Sequence, residues 1–301
     1  MALALQTRIE LGDDQFTVTG PQLDSAALVR MECRYRGDGQ PARFSFCGTT
    51  IPATVDYLCR EEERGLTTIG TAGLEIRQVE HILSALLGMN CLSTDIHLSY
   101  QDTPEGSKRI APPVCHLNSE DFAIAARRAF SPRQPNKPLT IGKALLVTEE
   151  SPASANDPSY ALIAPLQCLS VTGHINFPTF WGQQLYSCTV DPNTYQDSIT
   201  WARSFFSTPY PHNEEWKILQ ARYPALLRER VEHARSILID YDTQRWITPI
   251  RAIDEPVRHK ILDFIGDLAL LGVSLQAGIY VYKPHHRFNR QCIRAIRDAL
   301  V

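Results

Sequence analysis

The segment from Pro256 to Gly272, PVRHKILDFIGDLALLG, constrains the fold of this chain more than any other. Apolar residues recur in it every three or four positions, which is the spacing that gives an α-helix one buried face. The apolar positions are Val257, Ile261, Leu262, Ile265, Leu268 and Ala269. Pro256 suits the first turn of a helix, and Gly272 suits the position just after its end. The segment therefore predicts an amphipathic helix that packs on a core.

A row of polar residues runs along the other face of this helix. His259, Asp263 and Asp267 follow one another at intervals of four residues, so that their side chains point the same way. An imidazole and a carboxylate one turn apart can share a divalent metal ion. The other interpretation is a solvated face, because charged residues on a helix usually lie in solvent. Spacing alone leaves both interpretations open.

The composition excludes several classes of protein. The chain has 301 residues, enough for one large domain or two ordinary ones. Its net charge of −3 argues against nucleic acid or an anionic membrane surface as partner. The eight cysteines form no Cys-x-x-Cys pair, which suits neither a thiolate zinc site nor a small disulfide scaffold. With no secretory signal and no membrane-spanning apolar run visible, we expect a soluble, reduced, cytoplasmic protein without stable membrane insertion.

Three separate segments carry a more specific signal. They are QVEHILSALLGMN at 78–90, VRHKILDFIGDL at 257–268 and KPHHRFN at 283–289. Together they resemble the signature of the LpxC family, the zinc-dependent UDP-3-O-acyl-N-acetylglucosamine deacetylases. The three segments occur in the order of that family and at about its spacing, which makes the resemblance specific.

The resemblance implies an α+β fold of two halves. Each half would be a β-sheet with helices, and the helices of both halves would pack face to face between the sheets. The first half would cover residues 1–131 and the second residues 138–301. The segment SPRQPNKP at 131–138 is the linker candidate, because proline and polar residues interrupt regular structure there.

The segment at 78–90 predicts a helix in the first half. Its apolar stripe consists of Val79, Ile82, Leu83 and Leu86. Gly88 can end this helix, and Glu80 and His81 lie in its first turn. A Glu-His dipeptide by itself is commonly a surface feature, so its meaning depends on the resemblance.

The resemblance makes His81, His259 and Asp263 the ligands of a catalytic Zn²⁺. Three protein ligands with an open fourth position describe a catalytic rather than a structural zinc site. Bound zinc lowers the pKa of water and polarises an amide carbonyl, as N-deacetylation requires. Because His81 belongs to the first half and the other two to the second, the metal would depend on how the halves pack. Whether iron replaces zinc stays open.

The family also implies a pair of residues that handle protons. Glu80 would be the general base that takes a proton from water. His286 would donate a proton to the leaving amine, and Asp267 could hold His286 charged and oriented. His285 stands where the family has glycine, so the sequence leaves open which of the two neighbouring imidazoles acts.

Two further residues receive roles through the resemblance. Lys260 fits electrostatic anchoring of a diphosphate or an oxyanion, although it could be an ordinary surface lysine. The segment TYQDSITWARSFF at 194–206 resembles a helix that ends in the A-R-T-F-G motif of the family. Ser204 takes the place of the threonine and could donate to an oxyanion, while Phe206 replaces the glycine.

The chain departs from the family in other places. Asp24 stands where the family has histidine, and the region 207–256 is longer and lacks the G-G-S-x-D-N-A segment. The tripeptide Val-Glu-His recurs at 231–233 inside a charged helical pattern, and we interpret it as a decoy. In the family, an insert in the second half forms an apolar passage for the acyl chain. We therefore predict that this protein does not handle a long fatty acyl chain as lipid A deacetylases do. The alternative is that an amphipathic helix rebuilds the acyl passage from Leu226, Leu227, Val231, Ile237 and Leu238.

The first hypothesis is thus a zinc amidase that deacetylates an N-acetylglucosamine unit, such as UDP-3-O-acyl-GlcNAc in lipid A synthesis. Its partner would be an amino-sugar or nucleotide-sugar substrate, and the oligomeric state is not indicated. A divergent paralogue that acts on another acetylated amino sugar or a small natural product is the second hypothesis. The third is a metal-retaining binding protein without turnover, which is disfavoured because Glu80, Lys260, Asp267 and His286 persist beside the ligands.

Overall fold

The structure, a computed structural model, describes most of the chain. The described residues are 7–22, 27–60, 65–101, 108–115, 117–130, 138–150, 157–177, 182–208, 236–240 and 245–300. Asp24, the tripeptide at 231–233 and the predicted linker except Pro138 lie outside them. The domain limits at 131 and 138 therefore stay a prediction.

The first half is built on two sheets. Its strands are β1 (Arg8–Gly12), β2 (Gln15–Pro21), β3 (Leu28–Tyr35), β4 (Arg43–Phe46), β5 (Thr49–Pro52), β6 (Leu58–Cys59), β7 (Thr68–Thr71), β8 (Leu74–Arg77), β9 (Thr94–Tyr100) and β10 (Arg109–Ile110). The large sheet has the order β1-β2-β3-β9-β4-β5 and is antiparallel except for the β4–β9 pair. The small sheet has the order β10-β8-β7-β6.

The second half also contains a large and a small sheet. Its strands are β11 (Leu139–Thr140), β12 (Leu145–Thr148), β13 (Tyr160–Ala164), β14 (Leu169–Phe177), β15 (Gly182–Thr189), β16 (Phe205–Thr208), β17 (Ile237–Asp240), β18 (Arg245–Trp246) and β19 (Leu275–Tyr282). The large sheet has the order β12-β13-β19-β14-β15, with β11 beside β19. The pairs β14–β19 and β11–β19 are parallel. The strands β16, β17 and β18 form the small sheet.

The helices pack against the large sheets and against one another. They are α1 (Glu80–Gly88), α2 (Glu120–Ala129), α3 (Pro192–Ser198), α4 (Glu255–Leu268) and α5 (His286–Leu300). The ring of Phe130, just after α2, lies 5.4 Å from that of Phe16 on β2. In the second half, α4 lies so close to β14 that a Cβ on Gly173 would be 2.7 Å from Ile261 Cγ1. None of the helices in the described part of the chain is long and apolar enough to cross a membrane.

Strand alternation explains why each sheet has an inner face. Val29, Met31 and Cys33 of β3 are fully buried, while the residues between them are half-buried or exposed. Because alternate side chains of a strand point to opposite faces, this pattern places the apolar residues against the helices. The predicted α+β class is confirmed, with strands and helices mixed in both halves.

The predicted helix at 256–272 is also confirmed. Pro256 lies in the first turn of α4, and a short 3₁₀ turn at Ala269–Leu271 extends it. Gly272 then adopts a φ of +72°, the left-handed conformation that commonly ends a helix. His259, Asp263 and Asp267 are all buried, so the interpretation of their row as a solvated face is wrong.

The helix predicted at 194–206 is too long. α3 begins with Asp191 as N-cap, whose Oδ1 accepts hydrogen bonds from two backbone amides, and it ends at Ser198. The residues Phe205–Thr208 form β16 instead, which pairs with the distant strand β17. The residues that match the family motif therefore form a loop and a strand, because the pairing of β16 with β17 decides their conformation.

Candidate active site

The candidate site lies where α1 of the first half crosses α4 of the second. Ser84 of α1 donates a hydrogen bond to the carbonyl oxygen of Leu262 in α4, at 2.9 Å. One turn further along α4, Gly266 lies against the backbone of Glu80. These two contacts bring the first turn of α1, with Glu80 and His81, against the polar row of α4.

The crossing assembles two histidines and one aspartate. His81 Nε2 and His259 Nε2 lie 3.6 and 3.3 Å from Asp263 Oδ1. One potential ligand atom from each residue lies within 4.8 Å of those of the other two, and all three residues are buried. The three predicted metal ligands, drawn from both halves of the chain, are thus brought together.

These residues fit a divalent metal ion. Asp263 Oδ1 is buried without a hydrogen-bond partner, which is costly unless another group contacts it. The other oxygen of this carboxylate accepts a hydrogen bond from Lys260 Nζ at 3.1 Å. His259 donates from Nδ1 to the carbonyl oxygen of Ala202 at 3.0 Å, so that its Nε2 is directed to the cluster. Two imidazole nitrogens and one carboxylate oxygen are a donor set that zinc favours.

The electrostatics of the set suit coordination as well. Burial lowers the pKa of His259 to about 4, although the Asp263 carboxylate favours the protonated form. A neutral imidazole is the form that binds a metal. Burial alone would raise the pKa of Asp263, but His259, Lys260 and His286 outweigh it and hold that pKa well below its ordinary range.

Glu80 lies beside the triad in a buried position. Its Oε2 accepts a hydrogen bond from the backbone amide of Thr67 at 3.1 Å, and its Oε1 lies 4.0 Å from His286 Nε2. Burial raises the pKa of Glu80, and the nearby His286 and His81 only partly oppose this shift. A carboxylate with a raised pKa is a stronger base at neutral pH than an exposed one.

His286, and not His285, joins the cluster. His286 begins α5, with Nδ1 at 2.8 Å from Asp267 Oδ2 and Nε2 at 3.7 Å from Asp263 Oδ2. His285 is turned to Glu149, whose Oε1 lies 3.1 Å from its Nε2. Burial alone would lower the pKa of His286, but the carboxylates of Asp267, Asp263 and Glu80 raise it to about 9. The imidazole of His286 is therefore charged at neutral pH.

Lys260 and Ser204 lie at the edge of the site. The side chain of Lys260 is one-fifth exposed (20%) and its Nζ lies 5.3 Å from the centre of the Phe205 ring. Ser204 is half-buried; its amide donates to Leu117 O at 3.0 Å, and its carbonyl oxygen accepts from Ile237 N at 2.8 Å. These backbone contacts fix the segment beside His259, whose ring centre is 6.3 Å from that of Phe205. Both hydrogen bonds involve the backbone of Ser204, so they do not place its hydroxyl at the cluster.

Sequence reasoning missed a buried ion pair that holds α4. Arg203 Nε and Nη2 contact the two carboxylate oxygens of Glu255 at 2.8 and 3.0 Å, and both side chains are almost completely buried. Glu255 Oε2 also accepts from the amide of Arg251 at 2.7 Å. Glu255 is the first residue of α4, so this pair fixes the start of the helix that carries the polar row. No spacing rule connects residues 203 and 255.

Sequence reasoning also assigned no role to Thr67 or Asn289. Thr67 Oγ1 bonds to Asp267 Oδ1 and lies 3.1 Å from His286 Nδ1. Asn289 Nδ2 donates to Asp267 Oδ2 at 2.8 Å. Asn289 is the last residue of the segment at 283–289, but the resemblance does not say which atoms it contacts. Thr67 lies outside the segments on which the resemblance rests.

A buried His/His/Asp set with a neighbouring carboxylate and a charged histidine is the type of site found in metal-dependent hydrolases. Comparison with known proteins makes the class more specific. The sequence pattern of LpxC, UDP-3-O-acyl N-acetylglycosamine deacetylase, matches residues 13–298, and the chain belongs to this family. The predicted family is thereby confirmed, and it is a zinc-dependent family of amide hydrolases.

Curated relatives support the same assignment. A protein of Syntrophus aciditrophicus named UDP-3-O-acyl-N-acetylglucosamine deacetylase is 29% identical over 275 residues, which cover 90% of this chain and 75% of the relative. Proteins of the same name from Synechocystis and Thermosynechococcus vestitus are 28% and 26% identical. The Synechocystis alignment covers 82% of each chain, and the Thermosynechococcus alignment covers 97% of this chain and 91% of the relative.

Proposed function

We propose that this protein hydrolyses the acetamide group of UDP-3-O-acyl-N-acetylglucosamine and releases acetate. The observation that carries the proposal is the buried set of His81, His259 and Asp263, whose unpaired carboxylate oxygen faces both imidazoles. Family membership supports the reaction, and the names of the relatives support the nucleotide-sugar substrate. A cytoplasmic location remains part of the proposal.

The metal of the proposed enzyme is Zn²⁺, held by His81, His259 and Asp263. When bound, zinc lowers the pKa of water and polarises the amide carbonyl of the substrate. Ala202 supports this assignment, because its carbonyl oxygen fixes the ring of His259 through Nδ1.

Glu80 is the proposed general base. It adjoins the ligand His81 in the first turn of α1, and Thr67 holds one of its carboxylate oxygens. The other oxygen, Oε1, is directed to the side of His286 and can take the proton of the attacking water. The raised pKa of Glu80 supports this role, because it improves proton acceptance near neutral pH.

His286 is the proposed general acid, which gives a proton to the leaving amine. Asp267 holds its Nδ1, so that Nε2 points to the space beside Asp263 and Glu80. The charged form is maintained by the neighbouring carboxylates. His285 is not proposed for this role, because its Nε2 contacts Glu149 instead.

Lys260 and Ser204 are proposed to contact the substrate from the rim. The partly exposed ammonium group of Lys260 can anchor a phosphate or an oxyanion. Ser204 adjoins Phe205 in the sequence and carries a hydroxyl that can donate to an oxyanion. Lys260 also neutralises Asp263, so its substitution would affect the triad as well as the substrate.

The proposal is tested by acetate release from zinc-loaded protein. The substrates are UDP-N-acetylglucosamine with and without a 3-O-acyl group. N-acetylglucosamine is included for comparison as an expected poor substrate. We expect turnover of the 3-O-acylated nucleotide sugar, and we expect Glu80→Gln to keep zinc but lower turnover by about a hundredfold or more, the scale of general base catalysis. Absence of acetate release from every nucleotide sugar, with zinc bound, would refute the proposed function.

A further inference from the structure

We propose that Thr67 is a positioning residue that holds the base Glu80 and the acid His286 in one fixed arrangement. The proposal rests on the proposed function for the roles of those two residues. The observation behind it is geometric: one buried threonine contacts Glu80 through its backbone amide, and Asp267 and His286 through its hydroxyl. Neither the family signature nor the metal set assigns Thr67 a role.

Thr67 contacts the base through its backbone and the acid through its side chain. The residue is fully buried, with 0% of its surface exposed. Its amide donates to Glu80 Oε2 at 3.1 Å, and its Oγ1 lies 3.1 Å from His286 Nδ1. The same hydroxyl makes a close hydrogen bond to Asp267 Oδ1. Thr67 therefore touches both proton-handling residues and the carboxylate that orients one of them.

The direction of each hydrogen bond in this network follows from which groups carry a proton. A threonine hydroxyl has one proton, and an ionised carboxylate only accepts, so Thr67 donates to Asp267. A lone pair of Thr67 Oγ1 is then available to His286 Nδ1. Because Asp267 Oδ2 is a second acceptor for Nδ1 at 2.8 Å, this nitrogen carries a proton with two acceptors. The ring is thus fixed with Nε2 towards Glu80 and Asp263.

Asp267 accepts a third hydrogen bond from α5. Asn289 Nδ2 donates to its Oδ2 at 2.8 Å, in addition to the bonds from Thr67 and His286. Three donors thus contact the two oxygens of this carboxylate and restrain its orientation. Removal of the Thr67 hydroxyl leaves Asp267 Oδ1 without that donor and Nδ1 of His286 with one acceptor instead of two.

The backbone of Thr67 is itself held at the seam between the halves. Its carbonyl oxygen accepts from the amide of Val79, the residue before Glu80, at 3.3 Å. The carbonyl oxygen of Leu66 accepts from Arg290 Nη1 of α5 at 3.3 Å. Thr67 belongs to the same half as Glu80, while Asp267 and Arg290 belong to the other. The positions of the base and the acid therefore depend, through Thr67, on how the two halves pack.

The experiment compares three variants that remove or keep a buried hydroxyl. Thr67→Val keeps the size of the side chain and the hydrogen bond from the backbone amide to Glu80, but it removes the hydroxyl. Thr67→Ser keeps the hydroxyl. Thr94→Val is the matched control, since Thr94 is also fully buried and its Oγ1 donates to Cys91 O at 2.7 Å within the first half. For each zinc-loaded variant we would measure kcat, KM and zinc affinity by chelator competition.

We expect Thr67→Val to lower kcat about tenfold to a hundredfold, the scale on which supporting partners of a site act, with KM and zinc affinity unchanged. Thr67→Ser should recover most of the loss, and Thr94→Val should leave kcat unchanged. Three results would overturn the proposal: a kcat of Thr67→Val equal to that of Thr94→Val, no recovery in Thr67→Ser, or a parallel loss of zinc.

A measurement that needs no substrate tests the role of Thr67 independently of the proposed function. If the wild type releases no acetate, the proposed function fails, and NMR of the His286 ring decides the role of Thr67. We expect a protonated Nδ1 with slow solvent exchange in the wild type and in Thr67→Ser. The exchange should be faster in Thr67→Val, because one acceptor is gone. Unchanged exchange in Thr67→Val would overturn the positioning role.

Discussion

Gly266 of α4 lies directly against the carbonyl oxygen of Glu80 in α1: a Cβ on Gly266 would be only 2.0 Å from that oxygen. Such a distance excludes every side chain, so the two helices can approach this closely only with glycine at position 266. Since Glu80 and His81 are on one helix and Asp263 is on the other, the approach sets the separation between the two parts of the site.

The first prediction follows from this contact. Gly266→Ala should force α1 and α4 apart, lower the free energy of unfolding by about 1–3 kcal/mol and weaken zinc binding by the displacement of His81. Gly142→Ala is the control, because a Cβ on Gly142 meets no atom within 4 Å. Unfolding by urea and zinc competition measure the two effects. Wild-type zinc affinity in Gly266→Ala would show that the approach does not govern the metal set.

The second prediction concerns the metal ligands. Each chain should bind one divalent metal ion tightly, and His81→Ala, His259→Ala and Asp263→Ala should each lose it, because each removes one of three donors. His97→Ala is the control, since His97 is exposed and contacts Ser45 on the large sheet. Elemental analysis after dialysis measures the occupancy. Full occupancy in the three ligand variants would contradict the assignment of the site.

The third prediction concerns the pH dependence of turnover. The pKa of His286 is raised to about 9, so its acid form is present at neutral pH and is lost as the pH rises through that value. The rate should accordingly fall on the alkaline side, and His286→Ala should lower the rate and remove this limb. His285→Ala serves as the control and should keep the limb, because His285 faces Glu149. The opposite result would move the role of the acid to His285.

The fourth prediction concerns the buried pair of Arg203 and Glu255. Glu255→Gln leaves the guanidinium of Arg203 buried without its charge partner, which should lower the free energy of unfolding by about 3–5 kcal/mol. Glu120→Gln breaks a partly exposed pair with Arg251 and should cost about 0–1 kcal/mol. Denaturant titration compares the two variants. Equal costs would mean that the buried pair is not what fixes the start of α4.

The fifth prediction is that this enzyme does not prefer a long fatty acyl chain. The region that departs most from the family falls largely within residues 209–235, which lie outside the described residues. Each buried methylene contributes about 0.8 kcal/mol, so loss of an acyl passage should remove orders of magnitude in affinity for a long chain. The measurement compares kcat/KM for matched 3-O-acetyl and 3-O-myristoyl substrates. A strong preference for the myristoyl substrate would instead support a rebuilt passage.

Local sequence determined the two helices that meet at the site. The spacing of apolar residues predicted α4 with its limits at Pro256 and Gly272, and also α1 with its end at Gly88. Such predictions succeed because a helix depends on residues three or four positions apart, which a sequence displays directly. The resemblance to a family added the candidate ligands and the proton-handling residues. It named these residues but did not say which atoms they contact.

The tertiary structure decided which atoms meet. It selected His286 over His285, because α5 begins at a point that places the first of them against Asp267 and the other against Glu149. It also ended α3 at Ser198, since β16 pairs with a strand far along the chain. Thr67 and His286 are 219 positions apart in the sequence. Contacts over such separations arise only when the two halves pack, and no local pattern encodes them.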